Sequence, residues 1–124
     1  MGLSGYELTL LAGWEDVFKK SQLTLWLLLA LKDSEKHTTQ IEQFIHEATD
    51  GSIVADTQSM YRALRRLADA NMVAYHQVPS DKGPERKVYQ LTECGSRVLQ
   101  EFLDRNIINV FYKPNVQALI RKEA

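Results

Sequence analysis

Cysteine, proline and glycine are scarce in this chain, at one, three and six of 124 residues. The single cysteine, Cys94, can close no internal disulfide, and no CxxC or Cys/His spacing marks a zinc site. A disulfide scaffold is excluded, and a reducing, cytoplasmic setting is expected. Long apolar runs are missing too. The longest, Leu23 to Leu31, is broken by Thr24, and as a helix it would reach roughly 13 Å against the ~30 Å hydrocarbon core of a bilayer. No basic stretch precedes an apolar one at the start, and Glu15-Asp16 interrupt it, so no signal peptide is expected. Neither sign of charge dominates: 15 Lys+Arg face 16 Asp+Glu, a net of −1, which excludes a uniformly basic coat but not a local basic face.

What remains is ordinary for one compact domain, 44% apolar and 25% charged. The charge is unevenly placed, however. Residues 1–60 carry four Lys/Arg against nine Asp/Glu, and residues 61–124 carry eleven against seven. The second half is therefore where an anionic partner would be sought.

Leu10, Leu11, Trp14, Val17 and Phe18 form a helical stripe. The leucine run from Leu23 is apolar all round and reads as the central core helix, followed by a charged turn from Lys32 to Lys36. Thr39-Gln-Ile-Glu42 has the spacing of a capping box ahead of a helix carrying Ile41, Phe44, Ile45 and Ala48, ended by Asp50-Gly51. Asp56 or Thr57 caps the next helix, which Asn71 closes. The period then turns extended. Met72–Val78 and Lys87–Leu91 flank Pro79-Ser-Asp-Lys-Gly-Pro84, a hairpin with a loop of about six residues. Thr92 caps a last long helix bearing Val98, Leu99, Phe102, Leu103, Ile107, Ile108 and Phe111, with Pro114 as its stop and a short helix after it.

Two short capped helices followed at once by a hairpin spell a winged helix-turn-helix, a mainly α fold with a small β-hairpin, in which the second helix of the pair enters the DNA major groove. The helix over 56–71 suits that role. At 100° per residue Met60, Leu64 and Leu67 fall within about 60° of one another, and Gln58, Ser59, Arg62, Arg65, Arg66 and Asp69 lie opposite. Arginine forks match guanine edges and phosphate oxygens. The hairpin adds Lys82, Arg86 and Lys87 as a second basic cluster for the backbone or minor groove.

Tyr61-Arg-Ala-Leu-Arg-Arg-Leu67, then Gly83-Pro-Glu-Arg-Lys-Val-Tyr-Gln-Leu-Thr-Glu-Cys-Gly95, resembles the PadR-like family of winged-helix transcriptional regulators, over residues 23 to about 95. The resemblance implies that Tyr61, Arg62 and Arg66 meet DNA from the recognition helix and Gly83, Arg86 and Lys87 from the wing. Tyr89, Leu91 and Thr92 would hold the wing in place. It also implies a homodimer joined through terminal helices, with residues 1–22 and 93–124 flanking a DNA-binding core at 23–92. The contact would involve Leu11, Trp14, Phe18, Leu99, Phe102, Leu103, Ile107 and Phe111. The single helical segment after the wing is similar to the short subfamily, which includes multidrug-efflux repressors and the cyanobacterial clock modifier Pex. Two positions depart from the family pattern. His37-Thr38-Thr39 stands where His-Gly-Tyr is usual, and Gln58-Ser59-Met60 where Gly/Ala-Thr-Leu is common.

The expected function is a dimeric, sequence-specific regulator of transcription on a double-stranded operator. Repression is the expected outcome, because a bound dimer would block polymerase. A protein–protein interaction module without specific DNA binding is the alternative. No nucleophile–base pair, phosphate loop or metal set points to an enzyme, and no cofactor is called for. An effector is open: Phe102, Phe111 and Tyr112 would line a subunit seam more readily than a ligand pocket, and both tryptophans come early. His37, His46 and His76 are read as exposed histidines, and Cys94 as a small buried hydrophobe.

Overall fold

A computed structural model describes residues 2–121. Helix α1 (Gly5–Lys20) opens on a capping box, in which Ser4 Oγ accepts from the Glu7 amide at 3.1 Å and Glu7 Oε1 from the Ser4 amide at 2.8 Å. Its apolar stripe stays exposed among the described residues. α1 buries no residue, and Trp14 is 74% exposed.

Helix α2 (Leu23–Asp33) is the core helix that the leucine run demands, with Leu27, Leu28, Ala30 and Leu31 buried. Against it pack α3 (Thr38–Ala48) through Ile41 and Ile45, and α4 (Thr57–Asp69) through Met60, Ala63, Leu64 and Leu67. Both helices end in Schellman geometry, which satisfies orphan carbonyls by placing one residue in the left-handed region. After α3 the Gly51 amide donates to His46 O at 2.8 Å, with Asp50 at φ 51°. After α4 the Met72 amide donates to Leu67 O at 2.8 Å, with Asn71 at φ 61°.

The hairpin pairs β2 (Val73–Val78) with β3 (Arg86–Leu91), from Val73 opposite Leu91 to Val78 opposite Arg86. A third strand, β1 (Lys36–His37), lies on the other edge of β3. It corrects the reading of Lys32–Lys36 as a turn. Helix α2 runs on to Asp33, and Lys36 is buried at 8% exposure. Its Nζ donates to Ala30 O (2.7 Å), to Asp33 Oδ2 (2.8 Å) and to Ser34 Oγ (2.9 Å), and lies 4.9 Å from the Phe44 ring centre. The amine thus caps the end of α2 while its stem joins the core. The capping box foreseen at Thr39 also moves. The N-cap of α3 is His37, whose Nδ1 accepts from the Gln40 amide while Gln40 Oε1 accepts from the His37 amide. His37 has the extended backbone a cap requires (φ −84°, ψ 171°), and Thr39 is already inside the helix.

Helix α5 (Glu93–Leu103) starts where Thr92 ties the hairpin to the end of α4. Thr92 Oγ1 donates to Asn71 O at 2.6 Å and accepts from the Gly95 amide at 2.9 Å. Gly95 is required by the approach of two backbones, since a Cβ there would sit 1.9 Å from Met72 O. A π-helical turn (Asp104–Ile108) and a further α-turn, α6 (Asn109–Phe111), extend α5. Pro114 begins the short α7 (Pro114–Ile120), so it starts a helix as well as ending one.

Candidate nucleic-acid interface

Helix α4 is fixed at both ends, so the direction of its outer face is set. At its start Asp56 Oδ2 accepts from the Ser59 amide (3.0 Å) and the Ser59 hydroxyl (2.8 Å). Ser59 Oγ in turn accepts from Arg62 Nη2 at 3.2 Å. Asp56, Ser59 and Arg62 therefore form a chain, and the Ser59 bonds together with the Arg62 charge hold the Asp56 carboxyl below its usual range. Gln58, Tyr61, Arg62, Arg65 and Arg66 are exposed, Ser59 is half-buried, and the apolar residues point inwards.

The wing is the β2–β3 loop, in which Gly83 takes φ 95°. Such a left-handed angle strains residues with a Cβ. Lys82, Arg86 and Lys87 are all exposed. Lys87 Nζ lies 4.5 Å from the centre of the Tyr75 ring, and Tyr75 lies 5.5 Å from Tyr89. Burial, then the neighbouring Tyr61 and Tyr75, raises the Tyr89 hydroxyl above the ordinary tyrosine value.

Between the start of α3, Tyr61 of α4 and the wing runs an open groove of about 460 Å³. It brings together Tyr61, Lys82, Arg86 and Lys87 from the expected set, while Gln58, Ser59, Arg62, Arg65 and Arg66 lie outside its lining. His37 and Thr38 belong to it and were not foreseen. Arg86 Nη1 lies 3.3 Å from His37 Nε2, and Thr38 Oγ1 lies 3.4 Å from the Tyr61 hydroxyl. Burial and the Arg86 charge lower the His37 pKa. The His37 of the motif and the basic wing were both visible in the sequence. Their meeting depends on the β1–β3 pairing, which was not.

Residues 27–101 match the Transcriptional regulator PadR-like family. The chain belongs to the PadR-like family. A PadR-like transcription factor from Bacteroides fragilis is 25% identical with a TM-score of 0.66, the match covering 86% of this chain and 98% of that one. A PadR family regulator from Eggerthella lenta is 18% identical with a TM-score of 0.71, over 97% of this chain and 100% of that one. Bacillus subtilis PadR, solved in complex with operator DNA, is 23% identical with a TM-score of 0.60, over 65% of this chain and 46% of that one. No curated protein matches the chain. The PadR-like fold is thus a winged helix, with α3 and α4 as its helix pair and β2–β3 as its wing.

The residues expected at a subunit contact divide into three groups in this PadR-like chain. Leu11, Trp14, Phe18, Phe102 and Phe111 are exposed, and Leu103 and Ile107 are half-buried. Leu99 is 2% exposed and belongs to the monomer core, so it offers no surface to a partner. Beside it an apolar groove of about 280 Å³ opens between Leu25, Leu28, Met72, Val98 and Phe102. Cys94 is half-buried rather than enclosed.

Proposed function

We propose that this PadR-like chain is a homodimeric, sequence-specific DNA-binding regulator of the cytoplasm that represses transcription by occupying its operator. Helix α4 enters the major groove, and the wing lies on the backbone or minor groove. The observation that carries this reading is the outward face of α4. Arg62, Arg65 and Arg66 project from a helix whose other face is locked into the core, beside a wing bearing Lys82, Arg86 and Lys87. Guanidinium forks on such a helix read guanine edges and grip phosphates. Dimerisation is supported by α1, whose apolar stripe is uncovered in one chain, together with exposed Phe102 and Phe111. Apolar surface of that extent is uncommon on monomers.

Arg62→Ala and Arg66→Ala test the reading on the promoter fragment and a scrambled duplex. Each weakens the specific complex, by about 1–3 kcal/mol where a bidentate base contact is lost, with unchanged circular dichroism. Retention of full affinity by both would overturn the assignment of α4. Absence of any duplex binding by the wild-type chain would favour a protein-interaction module.

A further inference from the structure

At the start of α4 the side chains of Asp56, Ser59 and Arg62 form a hydrogen-bonded series whose direction is fixed by chemistry. Asp56 Oδ2 accepts from the Ser59 hydroxyl at 2.8 Å and from the Ser59 amide at 3.0 Å, and Ser59 Oγ accepts from Arg62 Nη2 at 3.2 Å. A guanidinium can only donate, and an ionised carboxylate can only accept. The Ser59 bonds, with a smaller share from the Arg62 charge, hold the Asp56 carboxyl below its usual range, so it is ionised at neutral pH. The one hydroxyl proton of Ser59 therefore goes to Asp56, and its oxygen receives Arg62. A DNA phosphate needs a donor, and this hydroxyl has no proton left to give it.

Arg62 keeps a reading edge in this arrangement. A guanidinium presents two forks, the Nη1/Nη2 end and the Nε/Nη2 side. Each fork uses a different Nη2 hydrogen, so the bond to Ser59 leaves one of them complete, whichever hydrogen it takes. Such a fork matches O6 and N7 of guanine. Arg62 lies in the second turn of α4, and a recognition helix brings its N-terminal residues to the base edges. Arg65 and Arg66 follow on the same helix, exposed, with no side-chain hydrogen bond or ion pair among the described residues. A long exposed side chain loses rotamer freedom when binding immobilises it. Arg62 is the arginine of this face that is already tethered in the free protein.

We propose that Ser59 is a positioning residue for base recognition: tied to Asp56, it holds the Arg62 guanidinium ready to read a guanine, and it does not itself touch DNA. This rests on the DNA-binding reading and deepens it by assigning sequence preference at one base pair of each half-site to Arg62. Ser59 sets that preference only through the arginine.

The test uses the duplex that the whole wild-type chain selects from a random pool, and versions of it with each base pair replaced in turn, symmetrically in both half-sites. Arg62→Ala marks the base pair that Arg62 reads, as the position whose replacement no longer weakens binding. Ser59→Ala binds the selected duplex roughly two- to tenfold more weakly per subunit, the effect of ordering one long side chain, and loses discrimination at that same base pair alone. Its plot of log affinity against log salt keeps the wild-type slope, because no charge has changed. Combining Ser59→Ala with Arg62→Ala weakens binding no further than Arg62→Ala does, since the two act as one unit. Ser59→Thr and Ser59→Val are alike in shape and differ in the hydroxyl. Thr should keep the discrimination and Val lose it, which keeps the test valid should Ser59→Ala alter folding. Additive losses in the double variant, or a loss from Ser59→Ala that is equal on every duplex, would overturn the positioning role and make Ser59 a DNA contact in its own right. An equal loss on every duplex from Arg62→Ala would overturn it too, since the arginine would then hold phosphate alone. Failure of the wild type to select any duplex would overturn the DNA-binding reading itself, an outcome distinct from additivity.

Discussion

Gly95→Ala places an added methyl group against backbone. The new Cβ would sit 1.9 Å from Met72 O and 2.8 Å from Met72 C, where real contacts stay above about 3.0 Å. The first turn of α5 must therefore retreat from the end of α4 by about 1 Å or more. Two bonds cross that junction: the Thr92 amide to Met72 O at 3.1 Å and Thr92 Oγ1 to Asn71 O at 2.6 Å. Losing both costs about 2 kcal/mol, and loosening Leu99, fully packed one turn further on, adds about 1 kcal/mol. Alanine recovers about 1 kcal/mol of helix propensity. The net expectation is destabilisation by about 2 kcal/mol, a large share of a typical domain's ~5–15 kcal/mol. Urea unfolding followed by circular dichroism, at fixed protein concentration because a dimer's midpoint depends on it, should show a lower midpoint at unchanged slope. Ser96→Ala, next along the helix and exposed, should leave the midpoint where it is. A Gly95→Ala chain as stable as wild type would refute the backbone-on-backbone contact between α5 and Met72.

Other outcomes follow from the same geometry. Asn71 sits at φ 61°, so Asn71→Val should cost about 1–2 kcal/mol, while Asn71→Gly leaves the urea midpoint within error. The His37 ring has its pKa lowered from 6.5 in the folded chain, by burial first and then by Arg86. The unfolded chain therefore binds this proton more readily. Its share of stability is complete above about pH 6.5 and is lost as the pH falls through the folded value, so urea midpoints should fall between pH 7.5 and 5.5, and by less in His37→Asn. Trp14→Glu and Phe102→Glu should each lower the mass measured by light scattering, since both side chains are exposed in one chain; a wild-type monomer at micromolar concentration would contradict the dimer.

The α4 face was legible because its period is strong and its ends carry known signals: Asp56 at the start and Asn71 in the left-handed region at the close. The hairpin was legible from its turn residues, to within one residue at each strand. Strand β1 was not, because two polar-looking residues carry no alternation and pair only through β3, 51 or more positions away. Lys36 read as a solvated charge, because only the tertiary fold brings Ala30 O and Phe44 around it. The α3 cap was misplaced by two residues because histidine is not among the usual N-cap types, although its Nδ1 can accept a hydrogen bond. Of the candidate site, exposure of Arg62, Arg65 and Arg66 followed from helical geometry. The groove that joins His37 to Arg86 required the sheet.

The most direct test of the DNA-binding account is a salt titration of wild type and Arg86→Ala on one promoter duplex and one random duplex, between 50 and 200 mM salt by order of the usual range. The account predicts tighter binding of the wild type to the promoter, affinity falling steeply with salt on both duplexes, and a slope for Arg86→Ala flatter by about one unit per lost phosphate contact in each subunit. Equal and salt-independent affinities of the two proteins for the two duplexes, or no binding by either, would contradict it.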